Sequence, residues 1–185
     1  MRNAIIFFEN QKINFERFPK LISESIGFAD LYYFYCVGNE NLSNNRFKKI
    51  YKYNGNINQV YHDLLQYDKL VVVIMSYRPI DLIFITHLRS KFKDLKTISV
   101  QHGMYSDKLE RSSLLSFFIN TFKRLISYVI TILRIDIFTL KQKLLILKEI
   151  FLVFVQNKYK LSESPLSEIL YLPKNAFVLG DQWKF

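Results

Sequence analysis

Residues 70–75 read LVVVIM, six consecutive apolar positions of which four are β-branched. A strand with one wet face would alternate apolar and polar residues. An unbroken run this short is instead a strand covered by helices on both faces, as in parallel sheets. Such a strand needs parallel neighbours and crossover helices to carry the chain back between them. The rest of the sequence supplies both. Residues 4–8 (AIIFF) form a second apolar run, and residues 31–37 (LYYFYCV) a third, ended by Gly38. Residues 97–101 (TISVQ) and 176–179 (AFVL) read as further strands, and residues 49–53 as an edge-like one. Helical spacing recurs between them: Phe15, Phe18, Leu21, Ile22 and Ile26 ahead of Gly27, then residues 57–65, then residues 81–92 with Leu82, Ile83, Ile85 and Leu88 inward. The expected fold is α/β, a Rossmann-like and mostly parallel sheet.

Residues 112–160 break that rhythm. They hold two long apolar-rich stretches, LLSFFINTFKRLISYVITILRI and LKQKLLILKEIFLVFVQNKY, free of Pro and Gly and separated by IDIFTL. Both read as helices of about five turns. Lys123 and Arg124 interrupt the first, and Lys148 and Glu149 the second, so neither offers the ~20 uncharged residues of a membrane span. Two uses remain open for this inserted, amphipathic hairpin. One is to lie in the interface of an anionic membrane, and the other is to pack on the protein core or a partner domain.

Charge adds weight to the first. The 185-residue chain carries a formal +10. Between positions 105 and 160 ten basic residues face only Asp107, Glu110, Asp136 and Glu149. An anionic partner is therefore expected: anionic lipid, a nucleotide or lipid diphosphate, or nucleic acid. Nucleic acid fits worst, because the cations are embedded in apolar helices and do not alternate with aromatics along a groove. With 17 Phe, 12 Tyr and 50% hydrophobic residues the chain has ample material for a core, and global disorder is not expected. The lone Cys36 sits in an apolar run and reads as a buried structural thiol. The first apolar run is too short for a signal peptide, so a cytoplasmic protein, peripheral at the inner face of the cell membrane, is expected.

Chemistry concentrates after the strand at 97–101, in Gln101-His102-Gly103-Met104-Tyr105. In open α/β sheets ligands bind beyond the carboxyl ends of the strands. Gly103 allows close backbone approach, His102 can take a proton or donate to a phosphate, and Gln101 can bond a hydroxyl. The plain alternative is a turn whose histidine caps or packs. Arg78 follows LVVVIM and can bind a phosphate or carboxylate, or be solvated beside a helix capped by Asp81 or Ser76. Glu9 and Asn10 follow the first strand and can border the same cleft, Glu9 as an acid or base and Asn10 as a substrate contact. His87 and His62 read as structural. Three scattered histidines and one cysteine make no metal constellation, and neither a Walker A loop nor GxGxxG is present, so no cofactor is expected.

The segment TISVQHGMY, preceded by LVVVIM and DLIFITHLRSKF, resembles the N-terminal domain of GT-B-type glycosyltransferases of bacterial surface-carbohydrate synthesis, the capsule and lipopolysaccharide enzymes. It is more loosely similar to teichoic-acid CDP-glycerol glycerophosphotransferases and polysialyltransferases. Those proteins often carry Gln-His-Gly or Trp-His-Gly after a central strand of the first domain. The resemblance implies that His102 faces an interdomain cleft and activates the acceptor or contacts phosphate. NAFVLGDQWKF resembles the crossing into their second domain. The implied organisation is an acceptor-side domain at 1–111, the basic hairpin at 112–160, and at 161–185 the last strand and the start of a donor-binding domain. Transfer from a nucleotide-sugar donor to a polysaccharide or lipid-linked acceptor would then require that second domain. The competing expectation is a non-catalytic subunit that recruits a separate donor-binding protein to the membrane.

Overall fold

The computed structural model describes residues 2–9, 29–37, 46–74, 78–102, 114–156, 165–170 and 175–179. Six strands, β1 (Asn3–Glu9), β2 (Asp30–Tyr35), β3 (Lys49–Lys52), β4 (Lys69–Ile74), β5 (Lys96–His102) and β6 (Asn175–Leu179), make one sheet. Its order is β3-β2-β1-β4-β5-β6 and every neighbouring pair is parallel. Helices α1 (Asn58–Leu64), α2 (Pro79–Lys91), α3 (Leu114–Arg134), α4 (Leu140–Gln156) and α5 (Leu166–Ile169) connect them. The chain is a Rossmann-like α/β protein. The LVVVIM strand lies in mid-sheet, and residues 49–52 take the edge. The helix expected at 15–26 lies outside the described residues.

Topology explains which face each helix covers. From β3 the chain steps through β4, β5 and β6 in one direction across the sheet, so right-handed crossovers put α1, α2 and the α3–α4 pair on a single face. There Ile6, Phe8, Val72 and Ile74 share a core with Leu64, Phe84, Tyr128, Ile132, Ile146 and Ile150. Ile5, Phe7, Tyr33, Val73 and Val100 bury themselves on the opposite face, in a cluster to which no described helix contributes.

Helix α2 begins two residues earlier than the spacing predicts. Pro79 presets the first helical φ, and Asp81 Oδ2 accepts the backbone N–H of Arg78 at 2.8 Å, which closes the amino end. Its side chains are buried nearly all round. Phe84 stacks on Phe8 with ring centroids 4.1 Å apart and meets Tyr53 edge-on. His87 is buried with Nδ1 at 3.0 Å from the Tyr53 hydroxyl. Desolvation pushes its pKa down to about 4, so this histidine is neutral and structural, as its mid-helix position suggests. Cys36 is buried in the same core, and burial raises its thiol pKa.

The hairpin of α3 and α4 is locally well specified. Thr139 and Gln142 form a capping box, with Thr139 N–H donating to Gln142 Oε1 at 2.9 Å and Gln142 N–H to Thr139 Oγ1 at 3.3 Å. Lys143 Nζ reaches back to the Leu133 carbonyl at 2.8 Å, so a cation satisfies the carboxyl end of α3. Gly55, at φ +88, lies so close to α3 that a Cβ there would overlap the Thr131 carbonyl oxygen. The inward faces of both helices therefore do pack on the protein core. Their outward faces do not.

Candidate functional site

Strand β1 sits between β2 and β4, and the connections leave it in opposite directions. That is a topological switch point, where the carboxyl edge of an open sheet forms a crevice. Phe8 pairs with Ile74, Ile74 with Ser99, and Ser99 with Ala176, which sets one level across four strands. Glu9 lies one residue above this level on β1, and His102 three residues above it on β5.

At roughly 3.3 Å per residue and 4.8 Å between strands, the backbones of Glu9 and His102 stand on the order of 12 Å apart along the same edge. His102 is the last residue of β5, its backbone paired with Leu179 and that of Gln101 with Val178. The strand thus runs through the histidine, one residue beyond the end read from TISVQ. Gly103 and Asn10 lie outside the described residues.

Glu9 closes β1 and is 6% exposed. Tyr33 on β2, in register with Phe7, donates its hydroxyl to Glu9 Oε2 at 2.6 Å. Burial first, then the Glu9 carboxylate and this bond, raise the Tyr33 pKa far above its ordinary value, so the phenol remains a proton donor. One carboxylate oxygen of Glu9 is therefore held in place by a neutral donor. Sequence reading missed Tyr33, because a buried tyrosine in LYYFY carries no signal of what its hydroxyl meets.

Arg78 is partly buried at the start of α2, beyond the carboxyl end of β4, and Asp81 caps the helix there. Glu9, Arg78 and the backbone of Gln101 and His102 thus border one sheet edge, whereas His87 is in the core and His62 is exposed on α1. Among the described residues no group of three or more His, Cys, Asp or Glu side chains is arranged to hold a metal ion.

The opposite, amino edge is closed on itself. Lys48 donates to Asp30 at 2.8 Å and to the Tyr67 hydroxyl at 2.9 Å, Tyr67 also bonds Asp30, and Tyr32 meets Tyr67 at 3.0 Å. The hydrogen bond from Lys48, and after it that from Tyr67, hold the Asp30 carboxyl below its usual pKa. These groups answer one another.

Fold and edge together define a Rossmann-like α/β protein with its candidate site at the carboxyl end of a parallel sheet. Comparison with protein-family models, curated proteins and solved structures finds no match to the chain.

Proposed function

We propose that this chain is the N-terminal, acceptor-side half of a glycosyltransferase, acting with a donor-binding domain on the same or a separate polypeptide. The group transferred would be a sugar, or a sugar-like unit, from a nucleotide-activated donor to a polysaccharide or lipid-linked acceptor. The observation that carries the reading is the end of β5. Gln101 and His102 of the Gln-His-Gly motif close a strand at the carboxyl edge of an all-parallel sheet, the edge at which α/β enzymes bind ligands. His102 would take the acceptor hydroxyl proton or contact phosphate, with Gln101 and Gly103 lining the approach. Glu9, oriented by Tyr33, and Arg78 would address another part of the same substrate, and Asn10, next in sequence to Glu9, would join them. The ~12 Å between the backbones of residues 9 and 102 suits two groups flanking a bound sugar better than a directly bonded dyad.

The test is sugar transfer into lipid-linked product, measured in membranes of cells producing this protein with its donor-binding counterpart. His102→Ala should lower the rate by on the order of 100-fold or more at unchanged protein level, the usual loss of a general base. A rate equal to that of the unmodified protein would contradict the enzymatic reading. It would favour a non-catalytic subunit that recruits a donor-binding protein to the membrane, a reading supported by the outward surface of the hairpin.

A further inference from the structure

The outer faces of α3 and α4 invert the usual surface pattern. Of the eleven large apolar residues exposed among the described residues, ten lie on these two helices. On α3, Phe118, Phe122, Ile126 and Ile130 recur every fourth residue, with Phe118 and Phe122 exposed at 65% and 63%. Such spacing lines up one stripe along a helix. On α4, Leu140, Leu144, Phe151 and Val155 make a second stripe, with Leu140 and Val155 exposed at 69% and 65%. Apolar patches this large on a folded protein mark a surface that is covered in use.

The charges identify the cover. Lys123 and Arg134 on α3, and Lys141 and Lys148 on α4, are exposed, and each follows an exposed apolar residue or lies within one turn of one. Neither helix has an exposed acid: α3 contains no acidic residue, and Glu149 of α4 is partly buried. A protein partner would have to combine apolar and acidic surface in matching stripes, whereas an anionic bilayer presents both everywhere. No described helix is long and apolar enough to cross a membrane, so the fitting arrangement lies along the interface.

We infer that the outward face of the α3–α4 hairpin docks on an anionic lipid surface, the apolar stripes entering the acyl boundary and the four cations meeting headgroups. This inference rests on the hairpin alone, so its failure would leave the chemistry of the β5 edge untouched, and the reverse.

The experiment is co-sedimentation of the full chain with vesicles of equal parts phosphatidylglycerol and phosphatidylcholine, and with vesicles of phosphatidylcholine only. Binding should be strong to the first, weak to the second, and reduced by added salt. Neutralising one basic residue at such a surface changes partitioning roughly fivefold, so Lys123→Gln, Lys141→Gln and Lys148→Gln together should weaken binding on the order of 100-fold. Phe118→Ser with Phe122→Ser should weaken it by a similar or larger factor, since each buried phenyl contributes roughly ten-fold or more. All five side chains are exposed or at the exposed face, so circular dichroism and the melting midpoint should be unchanged for both variants. Absence of binding to the anionic vesicles, or binding unaltered in both variants, would overturn the inference. So would self-association through this face, seen as a concentration-dependent mass lost in the Phe118→Ser, Phe122→Ser variant, without vesicle binding.

Discussion

Helices α2 and α3 are built from much the same residues and end in opposite situations. Helix α2 is apolar on nearly every side and meets core on nearly every side: Phe8, Phe34 and Tyr53 enclose Phe84, and even Asp81 and His87 are buried. Helix α3 is apolar on two sides and meets core on one. Tyr128 and Ile132 face the sheet, while Phe122 and Ile126 face outward. Apolar content measures how much surface needs covering, and only the topology decides how much of it the chain covers itself. Helix α2 follows a central strand of the sheet. Helices α3 and α4 lie in the crossover to the edge strand β6, with core beneath them and, among the described residues, no further layer above.

The contrast is broken most easily by truncating one phenyl on each helix. Phe84→Ala removes a ring in contact with Phe8, Phe34 and Tyr53 and should cost about 3–5 kcal/mol in urea unfolding. Phe122→Ala should change stability by no more than about 0.5 kcal/mol. Comparable losses at the two sites would mean that the outer face of α3 is buried after all.

A pH series sharpens the same contrast with a somewhat smaller effect. The folded pKa of His87 is depressed to about 4 from the ordinary 6.5. In that window the unfolded chain binds a proton that the folded chain refuses. Stability should therefore rise with pH from 4 to about 6.5, by on the order of 3 kcal/mol, and level off above. Melting curves of His87→Leu should lack that slope. A slope that survives the substitution would relieve His87 of the role.

Much of this was legible in the residues. A continuous apolar run such as LVVVIM has few places to go other than a strand buried on both faces, as Val72 and Val73 are, and the weaker residues 49–52 took the edge. Helix α2 was visible from its spacing, and Asp81, one of two capping candidates, does cap it, although the helix starts at Pro79, two residues before the periodic positions. Less could be read where a residue's meaning depends on a distant partner. Nothing in LYYFY says that Tyr33 will hold Glu9, and nothing near Gly55 says that α3 will pass against it. The two uses weighed for the hairpin also proved compatible in part, since its inner face packs on the core and its outer face is open. Sequence periodicity could not separate them, because both faces of α3 are apolar. The strand that carries His102 was legible, but its end was not: β5 continues through the histidine, one residue past TISVQ.

Hydrogen–deuterium exchange of the full chain, with and without phosphatidylglycerol-containing vesicles, separates the two helical regions in one measurement. Amides of α2 should be strongly protected already in solution and unchanged by lipid, while those of α3 and α4 should gain protection only when anionic vesicles are present. Unchanged exchange across residues 114–156, or an equal gain with purely zwitterionic vesicles, would contradict the assignment of that surface to an anionic membrane.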